Sequence, residues 1–158
     1  MKNLKDIITE RLHITKQTKV QTYNYFPKTK EELMNLIEDR LWGKNKDLNA
    51  NLNDIDVSQI TDMSNLFLNR FPHNIDISEW DVSNVTDMNN MFRNCHDFDC
   101  DLSKWDVRKV KNMRYMFYNC KKFKGKGLDK WDPVNCTDMY GMFTGCTVIN
   151  NSPKWYKQ

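Results

Sequence analysis

The sequence predicts an α/β repeat protein: a solenoid of four strand-turn-helix units of about 25 residues each, behind an N-terminal helical cap. Three observations carry this prediction. Four segments align without gaps, each changes from strand-like to helical spacing, and an amphipathic helix precedes them. A chain of 158 residues has the usual size of one domain, so one short repeat array is expected.

The repeat appears when four segments are aligned: Leu52 to Phe67, Ile77 to Phe92, Leu102 to Phe117 and Leu128 to Phe143. Four positions recur at spacings of 25, 25 and 26 residues. They are Ile55, Trp80, Trp105 and Trp131; Asp56, Asp81, Asp106 and Asp132; Met63, Met88, Met113 and Met139; and Phe67, Phe92, Phe117 and Phe143. Agreement at this many positions excludes chance and is typical of stacked repeat architectures.

Each copy contains two successive patterns. In the first half, Leu102, Trp105 and Val107 follow the L-x-x-L-x-L spacing of the strand in a leucine-rich repeat, which directs Trp105 and Val107 inward. The second half has helical spacing and predicts a helix of two to three turns, with one apolar stripe formed by Val85, Met88, Met91, Phe92 and Cys95. One unit cannot bury both apolar faces, so the copies are expected to stack as a leucine-rich-repeat-like solenoid.

Three regions are predicted along the chain. Residues 1–50 form the N-terminal cap, residues 51–149 contain the four repeats, and residues 150–158 form a C-terminal tail or cap. Trp155 and Tyr156 in this tail are expected to shield the last repeat from water.

The cap is predicted to contain a helix, a strand and an amphipathic helix, at Leu4 to Leu12, Val20 to Phe26 and Lys30 to Trp42. The last of these has the best-defined ends. Thr29 and Glu32 form a capping box at its start, and Gly43 follows its end.

Charge is unevenly distributed, although the chain as a whole has a net charge of only +3. The stretch from Pro72 to Asp106 has a net charge of −6, and the stretch from Val107 to Lys130 has a net charge of +8. Such a dipole steers association with oppositely charged surfaces. We therefore expect a protein partner. This partner is either a second copy of this chain or another protein of a particle, such as a virion, to which the chain would belong.

The exposed face of the predicted strands is the candidate partner-binding site. Its residues are Glu79, Asp81, Lys104, Asp106, Arg108, Lys109, Lys111 and Lys130. The favoured function is a non-enzymatic protein-protein interaction module. An architectural component of a virion or other particle is the alternative. Nucleic-acid contact through the basic run from Arg108 to Lys130, where Tyr115 and Tyr118 are interleaved, is a minor alternative.

No catalytic, cofactor-binding or metal-binding residue and no small-molecule substrate are predicted, because the three histidines are scattered and no catalytic motif occurs. Two recurring polar positions have alternative interpretations. The aspartate column either binds a cation or basic partner, or accepts backbone N–H bonds from the following turns. The column formed by Cys95, Cys120 and Cys146 either holds a soft metal or a disulfide, or consists of buried small side chains.

The apolar pattern bears on location. No stretch reaches the roughly 18 apolar residues of a membrane span, and the charged segment Met1 to Leu12 does not resemble a signal peptide. We expect a protein without a membrane span that is cytoplasmic or associated with a virion.

The motif W-D-V-S-N-V-T-D-M-x-x-M-F-x-N-C, from Trp80 to Cys95, resembles the BspA-type leucine-rich-like repeat. This family includes mycoplasma-type surface lipoproteins and proteins of gut bacteria, protists and large viruses. The resemblance extends from Leu52 to about Ile149, and the leader from Phe26 to Asp56 is similar to short signal-less versions in phages of Bacteroidetes hosts. It implies an adhesion or protein-binding surface without enzymatic activity.

Overall fold

Turns dominate the structure, a computed structural model that describes residues 21–44, 46–47, 50–70 and 75–157. These residues form one α-helix, α1 (Lys30–Trp42), and two 3-10 helices, Leu128–Lys130 and Thr147–Asn151. Their β-structure is limited to five isolated parallel bridges. No helix in the described ranges is long and apolar enough to cross a membrane. The predicted helix from Leu4 to Leu12 lies outside the described residues.

Helix α1 confirms the prediction from Lys30 to Trp42. Its first turn is capped as expected, because the Thr29 hydroxyl oxygen accepts the N–H of Glu32 at 3.1 Å. Three apolar side chains on one face, Leu33, Ile37 and Leu41, are buried in the core. The strand predicted from Val20 to Phe26 is wrong within its described part, where Tyr25 alone forms a single parallel bridge, to Ile55.

The predicted α/β solenoid of strand-turn-helix units is also wrong. We define repeats 1 to 4 as residues 52–70, 77–95, 102–120 and 128–146. They contain neither a sheet nor an α-helix; only Leu128–Lys130 forms a short 3-10 helix. An α-helix needs right-handed backbone throughout, whereas Asn90 and Asn94 have φ angles of 54° and 62°. Consecutive turns replace the helix; in the last of them the backbone N–H of Cys95 donates to the carbonyl of Phe92 at 2.9 Å.

These turns bury the same side chains that the helical and strand patterns were expected to bury. The stripe predicted for repeat 2 lies wholly in the core, namely Val85, Met88, Met91, Phe92 and Cys95. In repeat 3, Trp105 and Val107 are buried, which confirms their predicted inward direction. The spacing therefore identified the buried residues correctly and the backbone conformation incorrectly.

The repeats are stacked in the register that the alignment indicates. Bridges join Asp62 to Asp87, Asp87 to Asn112 and Asn112 to Asp138, all in parallel orientation. Inside the stack, the rings of Phe67, Phe92, Phe117 and Phe143 follow one another at 5.4, 5.5 and 5.8 Å between centroids. Backbone hydrogen bonds and stacked aromatic rings thus hold successive repeats together.

Tryptophans form a second recurring contact. In repeats 2 to 4, the indole N–H groups donate to carbonyls near the start of the preceding repeat, from Trp80 to Leu52, Trp105 to Ile77 and Trp131 to Leu102, at 2.9, 3.1 and 3.0 Å. The tail continues this series, because Trp155 donates to Leu128 at 2.7 Å and stacks on Trp131 at 6.1 Å. Tyr156 meets the ring of Phe143 edge-on at 4.8 Å.

Candidate functional site

Ion pairs and turn contacts engage most of the predicted partner-binding residues. Lys104 pairs with Glu79 at 2.5 Å, and Arg108 forms two bonds with Asp106, at 2.9 and 2.6 Å. The ammonium group of Lys109 contacts the amide oxygen of Asn84 at 2.7 Å. Lys111 and Lys130 are exposed. In the described part of the chain, neither lysine forms a side-chain bond to another of the eight predicted partner-binding residues.

The acidic and basic stretches pair with each other across the stack. Three lysines each lie 25 residues after the aspartate that they contact: Lys122 with Asp97, Lys124 with Asp99 and Lys126 with Asp101, at 2.7, 2.9 and 2.8 Å. The bond from Lys126, together with the turn N–H of Ser103, lowers the pKa of Asp101 to about 2. Much of the charge asymmetry in the sequence is therefore neutralised between neighbouring repeats.

The aspartate column belongs to the turns. Side-chain oxygens of Asp56, Asp81 and Asp106 accept the N–H two residues later, from Ser58, Ser83 and Arg108, at 3.0, 3.0 and 3.1 Å. This confirms the turn-capping interpretation for three of the four positions. In repeat 4 the backbone carbonyl of Asp132 instead accepts the N–H of Val134 at 2.9 Å.

The cysteine column consists of buried small side chains, as one interpretation predicted. Cys95 and Cys120 are fully buried free thiols whose S–H groups donate to the carbonyls of Phe67 and Phe92, at 3.0 and 2.9 Å. Burial raises the pKa of the Cys95 thiol to about 12 and raises the pKa of Cys120 further. Both thiols are therefore protonated and shielded at neutral pH.

We expect the five cysteines to react unequally with iodoacetamide at about pH 8. Cys136, which is partly exposed, should be modified first, whereas Cys95 and Cys120 should react only after the stack is unfolded. Mass spectrometry of timed samples measures the order. Equal modification rates for all five thiols in the folded chain would contradict the buried column.

A cluster of tyrosines and arginines lies on repeats 2 to 4. The sequence analysis named only Tyr115 and Tyr118 of this cluster, and only for the minor nucleic-acid alternative. The ring of Tyr115 meets Tyr118 and Tyr140 edge-on, at 5.5 and 5.4 Å between centroids. Arg93 lies over Tyr115 and Tyr118, both at 5.0 Å. Arg114 lies over Tyr115 and Tyr140, at 5.0 and 4.7 Å. With Tyr156 of the tail, these residues form what we call the tyrosine surface.

The tyrosine surface borders a groove of about 900 Å³ between repeat 4 and the tail. Tyr140, which is 63 % exposed, lines the groove together with the partly buried Met139, Ile149 and Tyr156. A smaller groove of about 540 Å³ lies beside Tyr25, at the other end of the stack.

Tyr115 has an unusual backbone for its residue type. Its φ is 54°, in the left-handed region, where the equivalent residues of repeats 1, 2 and 4 are Asn65, Asn90 and Gly141. Left-handed backbone costs ordinary residues about 1–2 kcal/mol and is tolerated by glycine and asparagine. Gly141 also makes room for the ring, since a Cβ there would lie 2.5 Å from Tyr115. The repeat alignment contains this signal, as a tyrosine in a column of asparagine and glycine.

Comparison with known proteins identifies a family. The family model described as "Mycoplasma protein of unknown function, DUF285" matches residues 38–156, which include all four repeats and most of the tail. Neither a curated protein nor a solved structure matches the chain.

Proposed function

The chain belongs to the family described as Mycoplasma protein of unknown function, DUF285, and we propose that it is a protein-binding module that acts through the tyrosine surface. Tyrosine and arginine are enriched among the residues that carry most of the binding energy in protein interfaces. On this surface, Arg93 and Arg114 are stacked on tyrosine rings, which presents both residue types in fixed positions.

The left-handed backbone of Tyr115 is the observation that carries the proposal. A bulky side chain in this conformation is held at a cost in stability, and such costs concentrate at functional positions. Repeats 1 and 2 have asparagine at the same place, so the stack itself does not require a tyrosine. The ring instead forms the centre of the partly exposed cluster, in contact with both arginines and with Tyr140.

Electrostatics favours a protein over a nucleic acid as the partner. Nucleic-acid binding depends mainly on cations that are available to neutralise phosphates. Lys122, Lys124 and Lys126 already pair with aspartates, and Arg114 lies 3.5 Å from the carboxylate of Asp138. An architectural role in a particle, the finer BspA-type classification and a phage origin stay predictions.

The proposal is tested with a peptide ligand selected from a random displayed library on the intact chain. The double variant Tyr118→Ser/Tyr140→Ser should bind the selected peptides at least about tenfold more weakly, because it removes two aromatic anchors of the surface. Isothermal titration calorimetry measures the two dissociation constants.

Tyr25→Ser is the matched control. Tyr25 is 39 % exposed and also has an arginine over its ring, Arg40 at 5.5 Å, but it lies beside the other groove. This variant should bind the selected peptides as the original chain does. Unchanged affinity of the double variant, in a chain whose unfolding transition shows that it is folded, would refute the proposal.

A further inference from the structure

Helix α1 has a second face besides the one that it buries in the core. This face contains four residues spaced three or four positions apart, namely Glu32, Asn35, Leu36 and Asp39. Leu36 is partly buried, and the other three side chains are exposed. The second face forms one wall of the groove of about 540 Å³ beside Tyr25.

Residues 24–27 form the opposite wall of this groove. Repeat 1 holds them in place through the backbone, because the N–H of Asn24 donates to the carbonyl of Asp54 at 2.8 Å and the carbonyl of Tyr25 accepts the N–H of Asp56 at 2.9 Å. A helix and a backbone segment bonded to the stack thus enclose the groove. We call this space, between residues 24–27 and the second face of α1, the cap groove.

Apolar side chains that the core leaves out line the cap groove. Phe26 is 63 % exposed and Tyr25 is 39 % exposed, although both are large and aromatic. They are adjacent in the chain, and Leu36 lines the same groove from α1. Single exposed apolar residues are common on protein surfaces, whereas several of them around one groove are typical of an interaction site.

The charge of the cap groove is acidic. Glu32 and Asp39 line it, whereas none of the described lysines and arginines does. Within the described ranges neither carboxylate forms an ion pair, and that of Glu32 accepts a backbone N–H, from Lys28 at 2.7 Å. The two cationic side chains of α1, Lys30 and Arg40, bind aspartates of repeat 1 instead. Both groove carboxylates are therefore available to cations of a partner.

A hollow of about 430 Å³ adjoins the cap groove at Tyr25 and Asp39, which line both. It adds two carboxylates, Asp47 and Asp54, and one guanidinium, that of Arg40. The guanidinium is bound to Asp54 at 2.6 Å. The acidic surface therefore continues beyond the groove itself.

We infer that the cap groove binds a basic segment of a partner protein, which places an apolar side chain against Phe26 and Leu36 and lysine or arginine side chains at Glu32 and Asp39. Burial of the apolar lining supplies binding energy, and the carboxylates supply charge complementarity. This site goes beyond the proposed function, because it lies at the other end of the stack from the tyrosine surface.

The charge of the groove disfavours other occupants. Carboxylates repel the phosphates of nucleic acids and of anionic lipid surfaces. A second copy of this chain is a poorer partner than a separate basic segment, because several of its basic side chains already bind its own acids. Lys104 binds Glu79, for example, and Arg108 binds Asp106. Docking either side chain in the cap groove would break an existing ion pair.

The experiment titrates the ¹⁵N-labelled full chain with two end-capped eight-residue peptides. One has the sequence Gly-Lys-Lys-Leu-Phe-Lys-Lys-Gly, and the other has glutamate in place of every lysine. The lysine peptide should shift the amide signals of Tyr25, Phe26, Leu36 and Asp39. The glutamate peptide has the same apolar centre but should bind at least about tenfold more weakly, because its charges oppose those of the groove.

Two matched pairs of variants test the apolar and the acidic contacts separately. Phe26→Ser should weaken binding of the lysine peptide at least about tenfold. Val134→Ser, which changes a side chain of repeat 4 that is 67 % exposed, should leave binding unchanged. Asp39→Asn should weaken binding about threefold and reduce its salt dependence. Asp129→Asn, at an exposed aspartate of repeat 4, should do neither.

Four outcomes of these titrations would overturn the inference. They are unshifted groove amides, equal binding of the two peptides, equal loss of affinity in Phe26→Ser and Val134→Ser, and equal loss in the two aspartate variants. A dimer of the unliganded chain that sedimentation velocity detects and Phe26→Ser abolishes would make a second copy the occupant, which would also overturn it. The double variant Tyr118→Ser/Tyr140→Ser should bind the lysine peptide as the original chain does, so this inference and the proposed function can fail separately.

Discussion

Trp105→Ala is expected to destabilise the folded chain by about 3–5 kcal/mol, the range for truncating a buried tryptophan or phenylalanine. Trp105 is 3 % exposed, and its ring lies 6.2 Å from Phe92 and 6.3 Å from Trp131. Truncation also leaves the buried carbonyl of Ile77 without its indole donor. Since small domains have only about 5–15 kcal/mol of total stability, much of the stack should unfold at moderate temperature.

The control for this prediction is Lys122→Ala. The Lys122 side chain is 70 % exposed and forms one ion pair, with Asp97. Such surface pairs contribute about 0–1 kcal/mol, so this variant should unfold almost as the original chain does. Circular dichroism during heating and urea unfolding measures both. Equal midpoints for the two variants would contradict an aromatic core that links successive repeats.

Gly127→Ala is expected to lower the free energy of unfolding by about 2–5 kcal/mol. This is the sum of the cost of placing alanine in left-handed backbone and the cost of overpacking. Gly127 has a φ of 90°, and an added Cβ would collide with the backbone nitrogen and Cα of Ser103 in the preceding repeat. Ser103 has little freedom to move, because its N–H donates to the Asp101 carboxylate at 3.0 Å. The contact between the two repeats must therefore open.

Gly145→Ala separates the two terms. Gly145 has a φ of 71°, but its added Cβ would collide first with the side-chain oxygen of Asn119, which can rotate away. This variant should lose only about 1–2 kcal/mol, from the backbone term alone. Urea unfolding of both variants measures the difference. Equal losses of stability would show that the close approach of Gly127 to Ser103 adds nothing to the cost of the Gly127 variant.

The sequence by itself determined the register of the repeats and most of their core. Identical residue types at spacings of 25 or 26 residues must lie in equivalent environments, so the phenylalanine column and the inward direction of Trp105 followed directly. Local hydrogen bonding likewise determined helix α1, because Thr29 and Glu32 supply its cap within four residues. In both cases the information lies in local chemistry or in repetition.

Only the tertiary structure decided the backbone conformation. Apolar residues three and four positions apart are buried equally well by a helix and by a series of turns, so spacing alone does not distinguish them. Bonds between repeats, such as Asn90 to Arg114 at 2.9 Å, favour the turns. In these turns the backbone N–H groups point along the stack and donate to the next repeat, whereas in a helix the same N–H groups would donate to carbonyls of the helix itself.

The candidate site depends on stacking in the same way. Arg93, Tyr115 and Tyr140 belong to three different repeats and touch only because the repeats are superimposed. The aspartate-lysine pairs, which reduce the predicted dipole, arise from the same superposition. Sequence periodicity defines what each repeat shares with the others, whereas stacking decides which unlike residues meet.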